Sequence, residues 1–176
     1  MIEWAAVAAS AAAVALALWA NASAYAARVE RRWPPLGPIL EVKRARIHIA
    51  EAGASDAPPL LLIHGASANL RELWSPLGLP LADDYRVIAF DRPGYGHSPR
   101  PRRATALRLQ ADIAAEVLAE RGVSRALVVA HSLGAGVALR LAIERPDLVA
   151  GLVLISPASH PYPGKNVWWA RLAAKP

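Results

Sequence analysis

Apolar residues fall into two regimes along this chain. From Trp4 to Ala27 they form an uninterrupted uncharged run of 24 residues, whereas beyond Ile39 they come in short bursts separated by turn residues. As a helix the first run would span about 36 Å, enough to cross a hydrocarbon core of about 30 Å. It is apolar all round rather than along one stripe, which suits a bilayer better than an Ala-rich core helix. A cleaved signal peptide is the rival reading, because Ala20-Asn21-Ala22 and Ala24-Tyr25-Ala26 have the small-x-small form. Against it, the leading residues carry Glu3 and no Lys or Arg, and the run is longer than a signal core. Residues 1–27 are therefore expected to form a single-pass transmembrane anchor. Arg28, Arg31 and Arg32 on its C-terminal side place the rest of the chain in the cytoplasm by the positive-inside rule.

Residues 28–38 read as a basic, Pro-rich linker ending in Trp33-Pro34-Pro35-Leu36-Gly37-Pro38, which cannot continue a helix. Residues 39–176 form the globular part. Ile39 to Val42 and Ile47 to Glu51 alternate like half-buried strands. Leu60 to Ile63, Val87 to Phe90, Ala126 to Ala130 and Leu152 to Ile155 are continuous apolar runs, as strands covered on both faces require. Between them, Leu70 to Leu81 is mixed. Leu107, Ala114, Val117 and Leu118 share one helical face, with Thr105 expected as N-cap and Gly122 just past the end. A further helix is expected over Ala135 to Glu144. Two strands followed by strand–helix repeats predict an α/β fold with a mainly parallel sheet and an antiparallel start.

Composition narrows the chemistry. Zero Cys excludes disulfides, Cys-ligated zinc, iron–sulfur clusters and a Cys nucleophile. The net charge of +6 could suggest nucleic acid, but the basic residues are scattered without an aromatic–basic binding pattern, so no nucleic-acid partner is expected. Arg100, Arg102 and Arg103, interleaved with Pro99 and Pro101, read most simply as a solvated loop; attraction of an anionic substrate or lipid headgroup is the alternative.

The sharpest signal is Ala130-His131-Ser132-Leu133-Gly134, set between an apolar strand and a helical segment. Small residues two before and two after a Ser allow a strained strand-to-helix turn that holds the hydroxyl above the sheet. An ordinary Ser N-cap beside a Gly is the plainer reading of that pentapeptide alone. Gly134-Ala135-Gly136 as a dinucleotide fingerprint is weak, because Leu139 stands where the third Gly belongs. Two other stretches follow strands: His64-Gly65-Ala66-Ser67, and Asp91-Arg92-Pro93-Gly94-Tyr95-Gly96-His97-Ser98.

With these three motifs in order, the chain resembles the α/β-hydrolase superfamily over about residues 39–157, and the anchor with Glu30 to Gly37 looks like a membrane-anchored bacterial branch of it. Ala130 departs mildly from the family's usual Gly. The resemblance implies that Ser132 is the nucleophile and that the backbone N–H groups of Ala66 and Leu133 form an oxyanion hole, with no cofactor and no metal. It implies a packing role for His131, while His64 is expected to be structural and hydrogen-bonded in its loop, and Asp91 to pin the Gly94 turn. The family's acid and histidine follow later strands than this chain reaches. After Ser132 come only Glu144, Asp147 and His160, and Asp147 should lie at the wrong end of the sheet. The tail Val167 to Leu172 looks like the start of a cap. The expectation is thus a C-terminally truncated membrane-anchored serine hydrolase of esterase or lipase type, acting on a small-molecule ester or related acyl substrate and weakly active or inactive as this chain. The alternative is a catalytically silent membrane-bound remnant or binding module. Ser at the elbow argues against epoxide hydrolases and haloalkane dehalogenases, which use Asp there.

Overall fold

The structure, a computed structural model, describes residues 2–159, so His160 and the Val167 to Leu172 tail lie outside the described residues. Contacts divide the chain into two compact units, residues 1–35 and 36–176. In the first unit, helix α1 covers Ile2–Arg32. It runs past Ala27 into the stretch expected to be linker. Arg28, Glu30, Arg31 and Arg32 are good helix formers, and only Pro34-Pro35 stops the ladder. The helix is long and apolar enough to cross a membrane by length and composition.

The second unit is built on six strands: β1 (Ile39–Val42), β2 (Ala45–Ala52), β3 (Pro59–Ile63), β4 (Arg86–Phe90), β5 (Ala126–His131) and β6 (Val149–Ile155). They lie in the order β1-β2-β4-β3-β5-β6. β1 and β2 pair antiparallel, as do β2 and β4, while β4, β3, β5 and β6 run parallel. Each expected strand is present, β1 with the expected bounds and the other five extended by one to three residues. Period-two alternation divides β3 and β4 between two cores. Leu61, Ile63, Ile88 and Phe90 face helices α4 (Leu107–Glu120) and α5 (Leu133–Glu144), meeting Ile113, Val117 and Val137. Leu60, Leu62, Val87 and Ala89 face Leu70, Leu73 and Trp74 on the other side.

That second face is covered by the mixed Leu70 to Leu81 segment, which is three short turns rather than one helix: α2 (Arg71–Leu73), a π-turn (Trp74–Gly78) and α3 (Leu79–Leu81). Pro76 and Pro80 remove donors from the ladder, and Gly78 lets the chain pass against the Trp74 ring. Two other expectations need correction. Helix α4 starts at Leu107 with Ala106, not Thr105, in the cap position, and no side chain caps it. Helix α5 starts at Leu133, so Ser132 itself occupies the cap position.

From β3 the chain moves to β4 on one side, then crosses back to place β5 on the other. The carboxyl ends of β3 and β5 therefore border the topological switch point, where crevices open in doubly wound sheets. Among the described residues β6 pairs on one side only, leaving Val153 and Ile155 partly exposed at the edge.

Gly53, on the β2 to β3 connection, has φ +91°, and a Cβ there would lie 2.0 Å from the Tyr85 carbonyl oxygen. Gly122 has φ +67° with open space around it. Gly122→Ala is expected to cost about 1 kcal/mol from backbone strain alone, and Gly53→Ala distinctly more. Urea unfolding of the two variants side by side checks the order, and equal losses would contradict it.

Candidate functional site

Three loops leave the carboxyl ends of β3, β4 and β5 and meet there. The β5 loop is the tightest. Ser132 adopts φ +50° and ψ −115°, a conformation that L side chains rarely hold and that costs about 1–3 kcal/mol. Its own backbone is tied down: its N–H donates to the Ile155 carbonyl at 3.0 Å, and its carbonyl accepts from Ala135 (3.1 Å) and Ala158 (3.0 Å). Gly134 makes the turn possible, since a Cβ there would sit 2.5 Å from the carbonyl oxygens of both Ile63 and His64. Ala130 is fully buried at the other small position.

The β3 loop lies directly against this turn. A Cβ on Gly65 would meet His131 Nδ1 at 2.8 Å and Ser132 Cβ at 3.3 Å. Glu72 bridges the two loops. Its Oε2 accepts from the Gly65 N–H at 2.8 Å, and its Oε1 lies 3.2 Å from His131 Nδ1. His131 thus faces Glu72 and packs against its neighbours. His64 is buried and doubly engaged: Nδ1 donates to the Gly65 carbonyl (2.9 Å) and Nε2 accepts from the Arg92 N–H (2.9 Å). Those partners fix the neutral tautomer. Burial first, then the Arg92 charge, pushes its pKa from the ordinary 6.5 down to about 4.

The β4 loop turns on Asp91, which is buried with both oxygens occupied. Oδ1 accepts from the Leu70 N–H (2.7 Å); Oδ2 accepts from the His97 N–H (2.8 Å) and from His48 Nδ1 (2.7 Å). Burial opposes the charge on Asp91, but these hydrogen bonds outweigh it and hold the carboxyl below its ordinary pKa. Gly96 is required because a Cβ would lie 2.1 Å from Oδ2. Asp91 therefore pins the turn, as expected, and through Leu70 also fastens the β3 loop. Next to it, the fully buried Arg92 donates to the Gly65 carbonyl (2.7 Å) and to Gln110 (2.8 Å), with its guanidinium 4.5 Å above the Tyr95 ring.

Sequence reading passed over His48, Glu72, Arg92 and Gln110. Arg92 stands inside the Asp91 to Ser98 motif, but its bonds to Gly65 and Gln110 lie 27 and 18 residues away, and His48 meets Asp91 across 43 residues with no local motif to mark it. Asp147 lies in a short 3₁₀ turn (Pro146–Leu148) just before β6, at the amino end of the parallel strands and away from Ser132, paired with Arg145 at 2.7 Å. Among the described residues no cluster of His and carboxylate side chains is placed to hold a metal.

Comparison with known proteins agrees with this fold. The family model for the α/β-hydrolase fold matches residues 58–174. A 2-hydroxymuconate semialdehyde hydrolase from Pseudomonas sp. (strain CF600) is 35% identical over 133 residues, covering 74% of this chain and 46% of the relative. Among solved structures, Est816, described as an N-acyl homoserine lactone degrading enzyme, superposes with a TM-score of 0.63 at 28% identity over 68% of this chain and 45% of its own. The haloalkane dehalogenase DbeA from Bradyrhizobium elkani USDA94 gives a TM-score of 0.63 at 32% identity, covering 68% of this chain and 41% of the dehalogenase. The chain spans less than half the length of the curated relatives it matches, between 28% and 46% for those over 30% identical.

Protonating His64 would turn Nε2 into a donor facing the Arg92 N–H. With a folded pKa of about 4 against 6.5 unfolded, the unfolded chain takes up the proton first as pH falls. Stability present above pH 6.5 is therefore lost progressively toward pH 4, on the order of 3 kcal/mol from this group. In His64→Gln the stability of residues 36–176 is expected to fall less steeply over that window; an unchanged slope in denaturant titrations would contradict it.

Proposed function

Because the chain belongs to the α/β-hydrolase fold family, we propose that it carries the nucleophile half of a serine hydrolase acting by acyl transfer on small-molecule esters or related acyl compounds. The observation that supports this most is Ser132 held at φ +50° between β5 and α5 with the Gly65–Ala66 loop against its Cβ. In this reading the Ser132 hydroxyl attacks the substrate carbonyl. The developing oxyanion is met by two backbone donors: Leu133, one of the first N–H groups of α5 and so without an acceptor inside the helix, and Ala66 on the β3 loop. The acyl group passes to Ser132 Oγ as the C–O bond to the leaving alcohol breaks. Water then releases the acid. A Ser rather than an Asp at the elbow favours this over the displacement chemistry of dehalogenase-type members.

A Ser hydroxyl needs a positioned base to accept its proton. Among the described residues none hydrogen-bonds it: His64 is engaged on both nitrogens, and His131 faces Glu72. That observation favours a second reading, a catalytically silent binding module built on the same crevice. We further propose that α1 anchors the chain in a bilayer, with Arg28, Arg31 and Arg32 marking the cytoplasmic side and residues 36–176 facing the cytoplasm.

Two measurements test these readings. A fluorophosphonate probe is expected to label residues 1–176 slowly and at Ser132 alone, by mass-spectrometric mapping, with aryl-ester turnover no more than roughly 10³ to 10⁴ above water. Labelling elsewhere, or unchanged turnover in Ser132→Ala, overturns the acyl-transfer reading; no labelling at all leaves the binding module. Turnover lost in both Ser132→Ala and His160→Ala would assign the base to His160. For the anchor, the full chain is expected to stay with membranes through high-salt and carbonate washes while residues 36–176 do not. Release of the full chain by those washes contradicts it.

A further inference from the structure

Between β4 and α4 the chain folds around a concavity of about 660 Å³ lined by Arg100, Arg102, Arg103, Ala104, Thr105 and Ala106. We propose that this concavity binds a phosphate group, either that of a soluble phosphate compound or that of an anionic lipid headgroup. The proposal does not depend on any chemistry at Ser132.

Four observations converge on it. The three lining arginines are exposed and lack a carboxylate partner among the described residues, whereas Arg44, Arg46, Arg86, Arg108, Arg121, Arg140 and Arg145 are all ion-paired. Unpaired guanidinium groups on an arginine-rich surface repel one another, so a local cluster of three raises the affinity for a multivalent anion. Second, the cluster has a buried positive foundation. Arg92, also without an ion-paired carboxylate, donates to Gln110, and the Gln110 amide in turn donates to the Ala104 carbonyl at 2.7 Å in the concavity wall. The Arg92 Nε is a buried donor with no hydrogen-bond partner among the described residues.

Third, the wall runs straight into the amino end of α4, a helix of 14 residues whose cap position, Ala106, supplies no side-chain acceptor. The free N–H groups of that first turn and the helix dipole favour an anion beside them. Fourth, the loop is held in shape rather than loose: Ala104 N–H donates to the Pro101 carbonyl, Ala106 N–H to the Arg103 carbonyl, and the Arg100 stem lies across Gly94. Three guanidinium forks and a helix terminus exceed what one carboxylate can accept. A phosphate, with acceptor oxygens on three sides and up to two charges, matches them.

The test measures inorganic phosphate binding to the full chain in neutral detergent by calorimetry, at constant ionic strength set with chloride. Alongside it, phenylglyoxal modification of each arginine is mapped by mass spectrometry, with and without phosphate. The same mapping is run on chain reconstituted into phosphatidylcholine vesicles with and without phosphatidylglycerol. The site predicts selective protection of Arg100, Arg102 and Arg103. Protection by inorganic phosphate identifies a soluble source, and protection only with phosphatidylglycerol identifies the headgroup. Arg102→Gln with Arg103→Gln should weaken the affinity about tenfold or more, while Arg46→Gln with Arg125→Gln, equal in charge and remote from the concavity, should not. No protection in either arm overturns the proposal. So does protection spread over all arginines, or an equal loss in the charge-matched control, because either would be general screening.

Discussion

The crevice depends on one close approach, that of the α5 amino terminus to the carboxyl end of β3. At Gly134 there is no room for a Cβ beside the Ile63 and His64 carbonyls. Interior packing cannot yield by that much without moving a strand. The absence of a side chain there brings the β3 loop down onto the elbow, where Gly65 in turn can carry no Cβ against His131 and Ser132. Two glycines, Gly134 in the first turn of α5 and Gly65 in the loop after β3, thus fix the distance between the Ser132 side chain and the loop that carries Ala66. The parallel register of β3 with β5, Ile63 opposite Ala130, aligns the two loop origins.

Around that contact the polar groups act as fasteners. Asp91 ties the β4 loop to the β3 loop through Leu70 and to β2 through His48, while Arg92 and Glu72 grip Gly65 from its carbonyl and its N–H. Each is buried or half-buried, so its hydrogen bonds are hard to replace with water, and removing one partner would strand the other. The motif that begins at Asp91 is thereby a scaffold for the crevice, and its carboxylate reaches beyond the Gly94 turn to Leu70 and His48. The same loop, continuing past Ser98, carries the unpaired arginines to the amino end of α4. A charged recognition surface and the strained Ser thus belong to loops that leave the carboxyl ends of β4 and β5, on either side of β3.

Most of the fold was legible because a sheet covered on both faces demands uninterrupted Val, Ile and Leu, and the runs at Leu60, Val87 and Ala126 could be little else. The elbow was legible for a related reason: small residues flanking Ser132 between a strand and a helix satisfy a local steric requirement. Errors arose where local preference was overruled. Thr105 is a better cap than Ala106, yet the turn closed by the Ala106 N–H on the Arg103 carbonyl sets the helix start one residue later. Helical periodicity in Leu70 to Leu81 is cut by Pro76 and Pro80, and residues 28–32, whose charges read as linker, continue α1. His48 and Glu72 carried no signal, and Arg92 stood in a quoted motif without a role, because each is defined by a partner many residues away: Asp91, His131 and Gly65.

The central claim is that Ser132 faces two backbone donors preorganised by the Gly134 and Gly65 contacts. A crystal structure of the chain carrying a covalent phosphonate adduct tests it most directly. The account predicts the adduct on Ser132 Oγ, with its phosphoryl oxygen about 2.7–3.1 Å from the N–H groups of both Leu133 and Ala66. A phosphoryl oxygen turned toward solvent, or bonded to neither N–H, would contradict it.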